Sequence, residues 1–268
     1  MIIRSLGRRT DLIFAKFSGT VIDKGSYTLI KTPSNPGYHW GNYIIFDHAP
    51  QRGSLKKWTE VFNTEFSYYS EPHHYVFTWD TGEDDKGEHQ EFLDAHFELD
   101  SSTVLTSTKL NPPPNINKNI LVRKISSDKD WVEVMALQTL CTDPKYMNDY
   151  YLQFKQRQMA SYRKMSEAGM GYWFGAYMDG KLVGELGIFY EGKIARYQNV
   201  GTHPDHRRQG ICGTLVYQTG LLALQEFDVD HLVMEADINY HAARIYESVG
   251  FKRSEVNHAL SWWKGPPK

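Results

Sequence analysis

The stretch Val200-Gly-Thr-His-Pro-Asp-His-Arg-Arg-Gln-Gly-Ile-Cys-Gly213 decides how the second half of the chain is interpreted. It joins a run with strand periodicity, Ile194 to Thr202, to a helical run from about Gly210 to Phe227. The first backbone N–H groups of such a helix have no intrahelical partner, and the helix dipole adds positive charge there. Glycine at 210 and 213 leaves this backbone accessible, and two arginines add charge-assisted donors. The junction therefore predicts an anion site.

The residues alone also allow a structural interpretation of this stretch and disfavour two other phosphate-binding loops. An ordinary surface turn with solvated arginines fits equally well, because isolated glycine patterns are common. The stretch has no Gly-Lys-Ser/Thr, which disfavours a nucleotide-triphosphatase loop, and no Gly-x-Gly-x-x-Gly, which disfavours a dinucleotide site.

A second pattern lies downstream, Asn239-x-x-Ala242-x-x-x-Tyr246-x-x-x-Gly250-Phe251. On a helix predicted from Asn239 to Val249, Ala242 and Tyr246 share one face. The small residue permits close packing, and the phenol projects from the same side. Taken alone, Tyr246 is typical of a core aromatic whose hydroxyl reaches the rim.

Together the two patterns resemble the hallmarks of the GNAT superfamily: the acetyl-CoA loop, Arg/Gln-x-x-Gly-x-Gly/Ala, followed by a tyrosine helix. Cys212 stands where that loop has its second small residue. The resemblance implies an N-acyltransferase that moves an acetyl or short acyl group from acetyl-CoA directly to an amine, in a ternary complex. The amine belongs to a small molecule or a peptide. Cys212 is not a nucleophile under this interpretation.

The resemblance also assigns roles to residues. Tyr246 protonates the departing thiolate, a modest task because a thiol of pKa about 8.5 is a tolerable leaving group. The residues expected to bind the cofactor are Val200, Gly201, Thr202, Arg207, Arg208, Gln209, Gly210, Ile211, Cys212, Gly213, Thr214 and Asn239.

A neutral amine must be generated, and a carboxylate or histidine normally accepts its proton. Glu185, on the strand before the loop strand, is the first candidate, and Glu235 and His203 follow it. Each of these side chains also fits a structural or solvated role. The rival to an enzyme is a protein that binds acyl-CoA without turnover, as a sensor or an interaction module.

The proline-rich stretch after Leu110 marks the predicted boundary, because three prolines disfavour helix and impose extended geometry. It predicts an N-terminal domain at 1–111, a linker at 112–118 and a GNAT-like catalytic domain at 119–268. The second half has the order β-α-α-β-β-β-α-β-α-β-β, an α/β fold with a mixed, mostly antiparallel sheet flanked by helices. The first half shows strand, helix, strand, helix, strand, and is either unrelated or a degenerate second copy.

Composition and charge limit the kinds of partner and compartment that are expected for the protein. The net charge of -2 over 268 residues disfavours nucleic acid. Two isolated cysteines, Cys141 and Cys212, predict neither disulfides nor zinc and favour a reducing compartment. The N-terminus lacks an apolar run long enough for a signal peptide or membrane span, so a cytoplasmic protein without membrane contact is expected. No metal is expected at the histidines near His74, and a monomer or homodimer is equally consistent.

Overall fold

The computed structural model describes residues 1–68, 74–239 and 242–265, and the chain divides into two compact units. The first unit comprises Met1–Thr103 with Glu255–Lys268, and the second comprises Val104–Ser254. These limits differ from the predicted domains, 1–111 and 119–268. The predicted linker at 112–118 belongs to the second unit, and the last segment of the chain belongs to the first.

The elements of the first unit are α1 (Leu6–Ser18), β1 (Thr20–Asp23), β2 (Tyr27–Lys31), β3 (Tyr43–Phe46), α2 (Ser54–Glu65), β4 (His74–Trp79), α3 (Gln90–Asp94) and most of β5 (Glu98–Ser107). The remaining elements, in chain order, are β6 (Leu121–Lys124), α4 (Asp128–Cys141), α5 (Asp149–Glu167), β7 (Gly171–Met178), β8 (Lys181–Glu191), β9 (Ile194–Thr202), α6 (Ile211–Glu226), β10 (His231–Asp237), α7 (Ala242–Ser248) and β11 (Lys252–Trp263).

The second unit is built on strands in the order β10-β9-β8-β7-β6. The pairs from β6 to β9 are antiparallel, whereas β9 and β10 are parallel. The fold class predicted from the sequence, a mixed and mostly antiparallel sheet flanked by helices, is confirmed. Fully buried Phe174, Leu186 and Leu215 hold α6 against this sheet, and burying each such side chain contributes about 1.5–3 kcal/mol.

Strand β9 is irregular near its end, and this irregularity shapes the site. Its register with β8 shifts between Glu185 and Gly187, and Asn199 has the positive φ of 48°. The residues of β9 paired with β10 end at Arg196, opposite Val233. Beyond that pair the two strands carry backbone groups and side chains that are available to line a cavity.

The first unit repeats part of this arrangement. Strands β3 and β4 are parallel and flank α2 in the sequence, as β9 and β10 flank α6. Both helices follow a left-handed glycine at the N-cap, Gly53 with φ 83° and Gly210 with φ 75°. The aromatic side chains of Trp58, Phe77 and Phe92 form the core here.

Several predicted elements need correction. The two strands that close the predicted order of the second half are one strand, β11, whose second half pairs with β4. The first strand predicted in the first half is β3, which begins only at Tyr43, after a 3₁₀ turn at residues 39–41. Helix α1 was missed although Ser5 caps it by accepting from the N–H of Arg8.

Within the described ranges, no helix is long and apolar enough to cross a bilayer.

Candidate functional site

The two sequence motifs meet at one cavity of about 760 Å³ in the second unit. Tight ligand sites commonly fall in the range of about 300–1,000 Å³. The loop between β9 and α6 forms one wall, and helix α7 forms another. The lining residues of these two walls are Val200, Gly201, Thr202, His206, Arg207, Arg208, Gly210, Ile211, Cys212, Gly213, Ala242, Arg244, Ile245, Tyr246 and Ser248.

The loop end of this cavity is rich in unsatisfied donors. Helix α6 begins after Gly210 without a side-chain cap, so its first N–H groups have no intrahelical acceptor. Arg208 and Arg244 both line the cavity, and neither guanidinium has a hydrogen bond or ion pair with another described residue. His206 Nδ1 is buried and also has no partner among the described residues. This donor set fits a polyphosphate.

Tyr246 lies where two cavities meet. Its side chain is buried and lines both the main cavity and a second one of about 300 Å³. The second cavity lies where β9 and β10 have separated, and it includes Gln198, Asn199 and Glu235. Val200 and Ala242 are shared by the two cavities as well. The loop and Tyr246 therefore line one cavity, and Tyr246 also borders the second.

Most of the predicted cofactor residues line the main cavity, but three do not. Thr214 is buried, with Oγ1 donating to the Gly210 carbonyl at 2.8 Å and accepting the Asn117 N–H at 2.8 Å. Gln209 is exposed, and its carbonyl accepts from Asn117 Nδ2 at 2.8 Å. Both residues are therefore used to hold a neighbouring segment of the chain.

Asn239 is the third predicted residue outside the cavity. It is exposed, and its backbone N–H donates to Asp237 Oδ1 at 2.7 Å. The helix predicted to start at Asn239 begins only at Ala242. The asparagine therefore belongs to the turn after β10.

Glu185, the first candidate for proton acceptor, lines neither cavity and is 0% exposed. Its carboxylate accepts hydrogen bonds from Trp173 Nε1 and Gln138 Nε2. It lies directly against the Cα of Gly201, where a Cβ would be 2.7 Å from Oε1. Burial raises the pKa of Glu185 to about 8, despite these hydrogen bonds and nearby Lys155. The residue supports the irregular part of β9 from behind.

Gln138 connects this carboxylate to a buried lysine. Its Oε1 accepts from Lys155 Nζ at 3.2 Å, and Gln158 Oε1 accepts from the same ammonium at 3.0 Å. Burial lowers the pKa of Lys155 to about 8, opposed by the charge of Glu185. A buried, titratable network therefore lies beneath the strand that separates from β10.

This network predicts a pH dependence of stability that a Glu185→Gln variant will lose. Because the pKa of Glu185 rises from 4.5 unfolded to about 8 folded, its contribution is fully present below pH 4.5 and is lost as the pH rises through 8. Each unit of pKa difference corresponds to about 1.4 kcal/mol. When the pH is raised from 5.5 to 8, the free energy of unfolding, measured by chemical denaturation, should decrease more in the native protein than in Glu185→Gln. Equal decreases in both proteins would contradict the assignment.

Eight cavity residues were missed by sequence reasoning, among them Ile245 and Ser248 of α7. Arg244 lies inside the tyrosine motif and His206 inside the loop motif, so both could have been found as hydrogen-bonding side chains near the predicted anion site. Cys141, on α4, donates to the Thr202 carbonyl at 3.4 Å, and no sequence signal indicated it. The other three are prolines and an asparagine of the predicted linker, namely Pro113, Pro114 and Asn115.

A glycine loop that meets a tyrosine helix on a mixed, mostly antiparallel sheet is the arrangement of an acetyltransferase fold of the GNAT type. Residues 170–253 match the family model described as acetyltransferase (GNAT) domain, so this part of the chain is a GNAT domain. A comparison with curated proteins found no match.

Solved structures show the same fold. A functionally unknown conserved protein from Staphylococcus epidermidis ATCC 12228 is 16% identical, with a TM-score of 0.74 over 91% of this chain and 94% of that one. A GCN5-related N-acetyltransferase from Kribbella flavida is 12% identical, with a TM-score of 0.66 over 98% and 97%. A tandem GNAT protein from the clavulanic acid biosynthesis pathway is 14% identical, with a TM-score of 0.56 over 96% and 88%.

Proposed function

We propose that this protein transfers an acetyl or other short acyl group from acetyl-CoA to the amine of a small molecule or peptide. The observation that carries the proposal is the single cavity that joins the uncapped start of α6 to Tyr246. One end offers donors for phosphates, and the other offers a phenol beside a second opening. An acyl-CoA has its phosphates and its thioester at corresponding ends.

The donor is held mainly at its phosphates. The first N–H groups of α6 and the guanidinium groups of Arg208 and Arg244 supply charge-assisted hydrogen bonds. Acetyl-CoA, when bound, supplies an activated thioester whose carbonyl the chain must polarise. The backbone of Val200 and Gly201, which line the same cavity as Tyr246, is proposed to donate to that carbonyl.

The second cavity is proposed to admit the amine. Glu235 lines it together with Tyr246, and the carboxylate is paired with Arg196 at 3.0 Å. Glu235 therefore replaces Glu185 as the proposed proton acceptor, since Glu235 lines the space from which an amine would approach, whereas Glu185 and His203 line neither cavity. Tyr246 is proposed to give a proton to the thiolate as it departs.

Direct transfer without a covalent enzyme intermediate is supported by the state of the two thiols. Burial raises the pKa of Cys212 to about 12 and also raises the pKa of Cys141. The thiol form is a poor nucleophile compared with the thiolate, so neither cysteine is suited to accept the acyl group. Both are free, which supports the proposal that the protein acts in a reducing compartment such as the cytoplasm.

Thermal unfolding with and without acetyl-CoA tests the proposal first, because a ligand that binds only the native state raises apparent stability. A panel of amines, with release of the CoA thiol as the readout, then tests turnover. Stabilisation with amine-dependent thiol release supports the enzyme. Stabilisation without release from any amine would favour a protein that binds acyl-CoA without turnover, and no stabilisation would reject both.

A Glu235→Gln variant should lower kcat about 10-fold and remove the rise in rate with increasing pH. The expected loss is smaller than the 10² or more typical of general bases, because one carboxylate oxygen already accepts a hydrogen bond from Arg196 Nη2 at 3.0 Å. Glutamine retains an oxygen that can accept from Arg196. Glu185→Gln is the matched control, with an unchanged position of the pH profile. A shifted profile in the control alone would return the role to Glu185.

A further inference from the structure

The segment Asn111–Asn117, called the strap below, is fixed to the walls of the main cavity at both ends. At one end, the Asn111 N–H donates to the carbonyl of Val249, just after α7, at 2.8 Å. At the other, the Asn117 N–H donates to Thr214 Oγ1 and the Asn117 amide donates to the Gln209 carbonyl, both at 2.8 Å. The strap therefore connects the end of α7 to the start of α6.

The middle of the strap packs on the two loop glycines. A Cβ on Gly210 would lie 2.2 Å from the Asn115 carbonyl oxygen, and one on Gly213 would lie 3.2 Å from Pro113. Pro113 is buried, whereas Pro114 and Asn115 are exposed and line the cavity. The glycines thus serve a second purpose, since they allow the strap to approach the loop closely.

The strap is stiff and partly without donors. Consecutive prolines fix φ and remove backbone N–H groups, so Pro112, Pro113 and Pro114 hold an extended geometry. A wall that is already ordered loses little conformational entropy when a ligand packs against it. Pro114 contributes an apolar ring and Asn115 an amide to the lining of the cavity that the loop arginines also line.

We infer that the strap recognises the nucleotide end of the acyl donor, so that the protein selects full-length CoA over donors truncated at the pantetheine phosphate. The inference rests on the proposed function. Its cavity-lining residues are Pro113, Pro114 and Asn115, and two of them lie against the loop glycines, where the phosphates are proposed to lie. The strap is therefore close enough to this loop to contact the part of CoA that continues from the pyrophosphate.

A purely structural strap would behave differently. It would only position the loop, so loosening it would weaken the binding of every acyl donor that carries a phosphate at that loop. A strap that contacts the nucleotide would affect only donors that possess one. The comparison of acetyl-CoA with acetyl-4′-phosphopantetheine separates these two roles.

The test uses the full chain and an Asn115→Ala variant, which removes the amide of the strap residue that lines the cavity and keeps the anchoring hydrogen bonds of Asn117. Asn119→Ala is the matched control, because it lies outside the cavity and only its backbone N–H donates to Asn117. We expect Asn115→Ala to raise the Kd for acetyl-CoA about tenfold, because the loss of one hydrogen bond to the ligand corresponds to about 1.4 kcal/mol of binding free energy. The Kd for acetyl-4′-phosphopantetheine should change less than twofold, and the control should change neither.

Hydrogen exchange on the native protein provides a readout that needs no variant. Acetyl-CoA should increase protection of the Asn115 to Asn117 amides, and acetyl-4′-phosphopantetheine should not. Equal weakening of the binding of both donors in Asn115→Ala, or equal protection by both, would overturn the inference while leaving the proposed function intact. A native protein that binds neither donor would reject the proposed function, and the inference with it.

Discussion

A Gly210→Glu variant is expected to lose all of the stabilisation that acetyl-CoA gives the native protein. Three effects act together at this position. The φ of 75° is costly for a residue with a Cβ, the Cβ would lie 2.2 Å from the Asn115 carbonyl oxygen, and a carboxylate beside the start of α6 repels phosphates. The measurement is the shift of the thermal unfolding midpoint at saturating acetyl-CoA.

Gly53→Glu is the matched control for this experiment. Gly53 has nearly the same backbone conformation at the start of α2, with φ 83°, and a Cβ there would meet no atom within 4 Å. The control therefore carries the same charge change and the same backbone strain, about 1–2 kcal/mol. It should unfold at a lower temperature yet keep the full acetyl-CoA shift. A Gly210→Glu protein that is folded and still stabilised would show that the donor does not bind at this loop.

The loop that contains Gly210 shows which features of the site can be predicted from the sequence. The loop after β9 was predicted because its signals are local: a strand ends, a proline and two arginines follow, and glycines begin a helix. Strand β9 was predicted with the bounds that the structure has, Ile194–Thr202. Local hydrogen bonding and backbone conformation depend on neighbouring residues, so such a motif can be read directly from them.

Contacts between distant segments could not be predicted in this way. The proline-rich stretch looks like a linker because its composition disfavours helix, and the same composition suits a rigid wall that packs on glycine. The choice depends on where Gly210 and Gly213 lie, about a hundred residues later in the chain. Hydrophobic periodicity likewise does not indicate that β11 pairs with β4.

Glu185 illustrates a different limit. It was predicted on the strand before the loop strand, and it lies there, on β8, as the partner of Gly201 in the β8–β9 ladder. A strand alternates its faces, but sequence does not reveal how deeply each face is covered. Trp173 and Gln138 enclose the carboxylate, so a residue chosen for its chemistry is closed off from the cavity. Glu235, with less sequence support, borders the second cavity instead.

Replacing Tyr246 with phenylalanine should lower kcat by about 10²-fold, the lower end of what a positioned general acid contributes. The ring is 6% exposed and packs in the core of the second unit, and phenylalanine preserves that packing. The Kd for acetyl-CoA should therefore stay within about twofold, because the phosphates supply most of the binding free energy. The kinetic signature is a fall in kcat with little change in donor affinity, which identifies an interaction formed in the transition state.

Tyr190→Phe provides the control, because its hydroxyl donates to the Gly169 carbonyl at 2.7 Å and borders neither cavity. Loss of that hydroxyl should leave kcat unchanged. The pH profile adds a second readout: Tyr246→Phe should lose the decline in rate at high pH that accompanies ionisation of a general acid. A Tyr246→Phe enzyme with native kcat would assign the thiolate proton to solvent, and weaker donor binding at native kcat would make Tyr246 a binding residue alone.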